Sequence, residues 1–134
     1  MSAIISKPAI DFGIITRDAQ KMLGFYQDTL KLPLEGVLPM PSVGTMHRFK
    51  VGESIIKIVQ LDNPPPHDGV PGGIPAATGF RYLTISVANL HELVGTCEKA
   101  GAAVVVPIKT IRPGVTIAMV TDPDGNWVEF IEYD

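Results

Sequence analysis

Asp122-Pro123-Asp124-Gly125-Asn126-Trp127-Val128-Glu129-Phe130-Ile131-Glu132-Tyr133 closes the chain as a turn running into a strand. Pro123 presets φ for a turn, Asp122 and Asp124 can bond their own backbone, and Gly125 can take a positive φ. The residues that follow alternate, with Trp127, Glu129 and Ile131 on one face and Val128 and Phe130 on the other. That is strand periodicity, with Val128 and Phe130 on the core side. Glu129 then stands mid-strand among large apolar residues, where a carboxylate needs a partner or a task.

Working back from this strand, the same pattern occurs earlier. A shift of 72 residues lays Ser54-Ile55-Ile56-Lys57-Ile58-Val59 on Asn126-Trp127-Val128-Glu129-Phe130-Ile131. A shift of 71 lays Asp18, Met22, Leu23 and Tyr26 on Asn89, Leu93, Val94 and Cys97. Each set reads as the start and apolar stripe of a helix, Asp18 as an N-cap and Asn89 with Glu92 as a capping box. Lys31-Leu32-Pro33 ends the first helix. Strands are expected at Ile10–Thr16, Leu34–Met40, Gly44–Val51 and Ser54–Leu61, and again at Phe80–Val87, Ala103–Ile108, Val115–Thr121 and Asn126–Tyr133. The order β-α-β-β-β thus occurs twice. Module one spans 8–62 and module two 80–134, with residues 63–79 between them, where five prolines and four glycines read as a linker or lid.

The expected fold is α+β: two tandem β-α-β-β-β modules in one domain, forming a curved, barrel-like mixed sheet around a cleft, with the helices outside. Bulk properties agree with a single small domain. At 134 residues a real core is possible, and the net charge of −3 gives no reason to expect nucleic acid or an anionic membrane as partner. No apolar run approaches a membrane span and no leader pattern opens the chain, so a cytoplasmic location is expected. The one cysteine, Cys97, lies on the second helix's apolar stripe and reads as core.

The repeat also nominates a site. Asp11 and Tyr82 are equivalent positions on the first strand of each module, and Lys57 and Glu129 are equivalent on the last. All four point away from the helix-facing core and are expected to converge in the cleft. Trp127, on the Glu129 face, would give a flat wall for a planar ligand. His47 and Arg48 are adjacent, so one of them faces the cleft; Met46 could line an apolar part of it. His67 in the linker reads as a solvated loop residue, with closure over a ligand its alternative; Arg81, Arg48 and Arg112 could clamp an anionic ligand, solvent exposure being the default for each.

The Asp122-to-Glu129 motif, the Phe25-Tyr26 pair and the paired β-α-β-β-β plan resemble the vicinal oxygen chelate superfamily. This is the group of glyoxalase I, bleomycin-resistance proteins, fosfomycin-resistance enzymes and extradiol dioxygenases. The resemblance covers nearly the whole chain and implies a cleft, a homodimer, and in many members a divalent metal. The metal ligands of such proteins, usually His, Glu or His, His, and Glu, would fall on Asp11, Lys57, Tyr82 and Glu129. Only Glu129 matches. An ammonium has no lone pair to give and repels a cation, so no metal is expected; were one bound, Glu129 and Asp11 would be its ligands.

Lys57 between Asp11 and Glu129 instead suggests an ion-pair triad in which the ammonium stands where a metal would. Its plain alternative is a purely structural role, holding the modules in register. As a catalyst, Lys57 would polarise a carbonyl, Glu129 or Asp11 would serve as base, and Tyr82 would donate a hydrogen bond. The expected function is metal-independent lyase or isomerase chemistry on a small carbonyl compound, with no cofactor. The alternative is non-catalytic binding or sequestration of a small molecule, as in bleomycin-resistance proteins. A metal lyase or dioxygenase ranks third.

Overall fold

The first strand, β1 (Phe12–Thr16), is short, and Asp18 follows it as N-cap of α1 (Ala19–Leu23), its carboxylate accepting from Lys21 N. The structure, a computed structural model, describes all residues, 1–134. Beyond Leu23 the helix does not stay α. Gly24–Thr29 form a π-helical turn, closed by Leu30 N donating to Phe25 O at 2.9 Å. The wider turn explains how two consecutive large rings reach the core. Phe25 and Tyr26 are both buried, packed edge to face with centroids 4.8 Å apart. Lys31, at φ +56°, then reverses the chain.

β2 (Leu34–Met40), β3 (Gly44–Val51) and β4 (Ser54–Leu61) complete the first sheet, in the order β1-β4-β3-β2. β1 runs parallel to β4, and the other pairs are antiparallel. The second sheet repeats this with β5 (Tyr82–Ser86), β6 (Val104–Arg112), β7 (Val115–Thr121) and β8 (Trp127–Tyr133), in the order β5-β8-β7-β6. α2 (Leu90–Lys99) follows β5. Each sheet is mixed and four-stranded with one helix, so the fold is α+β as expected. The chain divides into two compact units, Met1–Pro65 and Pro66–Asp134. No helix is long and apolar enough to cross a membrane.

The repeat extends to a detail not legible beforehand. Gln60 Oε1 accepts from Ala19 N, the first amide of α1, at 2.8 Å. Glu132 Oε1 accepts from Leu90 N, the first amide of α2, also at 2.8 Å. In both units the last strand caps the helix, satisfying an amide left free by helix geometry. Asn89 makes no side-chain cap bond, contrary to the capping-box expectation, because Glu132 has taken that role.

These caps fix which face of each sheet meets its helix. Gln60 shares a face with Ile56 and Ile58, and Glu132 with Val128 and Phe130; Ile58, Val128 and Phe130 are fully buried. The opposite faces carry Lys57 and Glu129. Cys97 is fully buried on α2, and burial pushes its thiol up to about 11. It is therefore expected to resist iodoacetamide at pH 8 in the folded protein and to react once urea unfolds the chain, as mass spectrometry would show. Modification of the native protein at a free-thiol rate would contradict this burial.

Candidate functional site

In the first unit, strand register places Lys57 between Gly13 on β1 and Arg48 on β3. The side chain is half-buried, and its ammonium makes no hydrogen bond and no ion pair. Gly13 leaves open space beside it, since a Cβ built there meets nothing within 4 Å. Asp11 lies on the same face but is engaged elsewhere. Its Oδ1 accepts from Lys7 Nζ at 2.8 Å and from Ile55 N at 2.9 Å. The Lys7 hydrogen bond, then the Ile55 amide, hold its carboxyl below the usual carboxylate range, with a smaller contribution from the Lys57 charge. A carboxylate so held is a weak base. The Asp11 arm of the expected triad is thus an ion pair to Lys7, and Asp11 fastens the N-terminal segment to β4.

Parity on β3 separates His47 from Arg48. Arg48 stands opposite Lys57, while His47 stands opposite Ile58 on the helix side. His47 therefore leaves the group expected around Lys57. It lines a recess of about 420 Å³ with Gln20, Thr45, Gln60 and Asp62, and its Nδ1 is buried without a hydrogen-bond partner. Arg48 Nε bonds Glu35 Oε2 at 2.8 Å, and its Nη1 lies 3.7 Å from the Met46 sulfur. Met46 and Arg48 thus share the Lys57 face, with the guanidinium already compensated by Glu35.

In the second unit, Trp127 stands opposite Tyr82, and Glu129 opposite Thr84. Thr84 Oγ1 donates to Glu129 Oε1 at 2.7 Å, leaving Oε2 free. The Thr84 partner escaped the sequence reading, although parity on β5 would have found it. Tyr82 is half exposed. Trp127 is not an open wall: a Cβ on Gly73 would fall within its indole, so the backbone of Gly73 lies against the ring. The residues expected to be a linker are fastened there by Arg81, whose Nε and Nη2 bond the Gly73 and Val70 carbonyls. The face of Glu129 also holds its own apolar cluster of Val115, Ile117 and Ile131.

The turn before β8 sets these positions. Asp122 is buried, its Oδ1 accepting from Asp124 N and Asn126 N and its Oδ2 from Asn126 Nδ2. Gly125 takes φ +87°, and Gly125 N closes onto Asp122 O at 2.9 Å. The motif is structural: it fixes where β8 begins, and strand alternation then puts Trp127 and Glu129 on one face.

Residues 10–130 match the model of the Glyoxalase/Bleomycin resistance protein/Dioxygenase superfamily. The chain belongs to this superfamily. No curated protein matches it. Among solved structures, a glyoxalase family protein from Bacillus cereus superposes with TM-score 0.81 at 16% identity, covering 98% of this chain and 96% of its own. One from Enterococcus faecalis gives TM-score 0.66 at 22% identity, covering 96% and 97%. TnmS3, an antibiotic-binding protein from Streptomyces sp. CB03234, gives 0.69 at 21% identity over the full length of both chains. At these identities the likeness is one of fold.

Many members of such a superfamily use a divalent metal, and the donor set here does not fit one. Lys57 offers no lone pair while protonated, and Asp11 is bound to Lys7 and Ile55.

Proposed function

We propose that this superfamily member is a metal-independent lyase or isomerase acting on a small carbonyl compound, with Lys57 polarising the carbonyl oxygen. The observation that carries this is the Lys57 side chain: half-buried at mid-strand, its ammonium in no hydrogen bond or ion pair, and beside the open space at Gly13. A cation not engaged by a hydrogen bond or ion pair is available to an oxygen that gains negative charge in the transition state. The repeat and the superfamily resemblance, which put Glu129 and Tyr82 at positions equivalent to Lys57 and Asp11, nominate Glu129, whose Oε2 is free, as the proposed base and Tyr82 as a proposed hydrogen-bond donor. The proposed assembly is a homodimer, which light scattering would read as twice the 14.4 kDa chain mass.

A second reading, sequestration without turnover, is favoured by one finding. With Asp11 held by Lys7, only one of the two expected bases remains.

The test follows loss of the α-proton from a panel of small ketones and 2-oxo acids in heavy water by NMR. Wild-type protein is expected to catalyse exchange from at least one of them, with Lys57→Met slowing it on the order of 100-fold. Glu129→Gln is expected to abolish exchange while leaving binding in place. Binding without exchange selects sequestration, and exchange undiminished in Lys57→Met overturns the role of the ammonium.

A further inference from the structure

Residues 70–73 form a strap that meets Trp127 at Gly73. Gly73 is buried at φ +64°, and its backbone stands against the indole so closely that no side chain fits. Arg81 holds the strap from the other end, with Nε donating to Gly73 O and Nη2 to Val70 O, both at 2.8 Å. These are the only hydrogen bonds Arg81 makes, and both acceptors are neutral.

The pattern is that of a ligand. The edge of a guanidinium formed by Nε and one Nη is an edge that takes the two oxygens of a carboxylate. A peptide carbonyl oxygen stands to its own Cα as a carboxylate oxygen stands to the carbon that bears the carboxylate. Gly73 thus sets an oxygen on Arg81 and a small planar group on the indole. An aromatic acid would do both with a full charge and a larger ring.

We infer that Trp127 and Arg81 form a binding site for a planar aromatic carboxylate, and that residues 70–73 are the chain's own stand-in for it, displaced when the acid binds. Two neutral carbonyls give way to one charge-assisted pair, and the indole exchanges a peptide for an aromatic ring. Gly72 and Gly73, both at positive φ, let the strap fold down and release. Tyr82, half exposed, is the register partner of Trp127 on the neighbouring strand. Glu129, two residues along that face, repels an acid group and so orients it toward Arg81. The site draws on the second unit alone; of the three groups assigned to carbonyl chemistry it is flanked by Tyr82 and Glu129 and leaves out Lys57.

Because the strap competes with the ligand, the affinity observed is the intrinsic one reduced by the fraction of open strap. Loosening the strap and removing the guanidinium should therefore act in opposite directions. Trp127 is the only tryptophan, so its emission reports on the site directly. Benzoate is the probe and benzamide its neutral isostere.

Saturable benzoate-induced change in Trp127 emission is expected, with benzamide at least 10-fold weaker. Gly73→Ala drives a methyl group into the indole and is expected to expose Trp127 to acrylamide and tighten benzoate about 5-fold. Pro71→Gly, which loosens the strap without touching either ligand-contacting side chain, is expected to act in the same direction and stands in should Gly73→Ala misfold. Arg81→Gln also frees the strap but is expected to lose saturable benzoate binding. Equal binding of benzamide and benzoate, a common direction of change in the strap and Arg81 variants, or no saturable benzoate response in wild type and Pro71→Gly alike would each overturn the inference.

Discussion

Replacing Asp122 with alanine is expected to lower stability by about 3 kcal/mol and the Tm by roughly 10 °C. Three donors lose a charged acceptor at once: Asp124 N, Asn126 N and Asn126 Nδ2. Each bond to a charged group is worth on the order of 1.5–3 kcal/mol when its partner is stranded, but Asp124 and Asn126 are exposed, and water recovers part of that. Asp122→Asn is expected to cost about half as much. Its remaining oxygen can still serve the two backbone amides, while its new NH₂ faces the Asn126 amide donor. Urea unfolding followed by circular dichroism gives the numbers. A loss for Asp122→Ala below about 0.5 kcal/mol would mean that Pro123 and Gly125 hold the turn unaided.

The expected consequence reaches the site, because β8 begins where the turn ends. Asn126, the residue before Trp127, is held against Asp122, so the turn fixes where the backbone of Trp127 and of β8 begins. In the alanine variant the Trp127 emission should therefore shift under native conditions as well as on unfolding. A turn that supports only stability would leave the native emission unchanged.

The same stretch shows what the sequence made legible. Turn residues and a period of two fixed β8 to within one residue, and the repeat carried that certainty to β4, whose bounds agree in full. Strand parity is a covalent property, so the faces of Lys57, Glu129, Val128 and Phe130 followed from it. The π turn at Gly24–Thr29 did not, because its cause is tertiary: two adjacent rings must both be buried, and no local pattern marks that. Arg48 and His47 could be separated only once pairing to β4 was known.

The partners of charged side chains were legible least. Asp11 was placed on the correct face, yet its carboxylate is satisfied by Lys7, four residues away in a segment with no periodicity to read. Arg81 read as an exposed cation, and its acceptors are backbone carbonyls, which every residue supplies equally. Long flexible side chains choose among neighbours that only the folded chain assembles.

Gly44→Ala is expected to cost about 3 kcal/mol or more, although it adds only a methyl group. Gly44 opens β3 opposite Leu61, and its φ is not the reason for glycine; space is. A Cβ there would overlap the Gln60 carbonyl oxygen and lie 2.8 Å from Leu61 Cα. Both are backbone atoms, so no rotamer relieves the clash and the end of β4 must move. That end is pinned twice, by Asp62 N bonding Val43 O and by the Gln60 side chain capping Ala19. Relief of the overlap therefore pulls Gln60 from the first amide of α1 and strains the Asp62 N bond to Val43 O. Gly95→Ala is the matched control. It lies within α2 with nothing within 4 Å of its Cβ position, and helix propensity predicts a gain of about 0.5–1 kcal/mol. One substitution made at two glycines should thus move the urea midpoint in opposite directions. If Gly44→Ala stays within about 0.5 kcal/mol of wild type, β3 and β4 are free to separate at that end, and the cap from Gln60 is not what fixes α1 on the sheet.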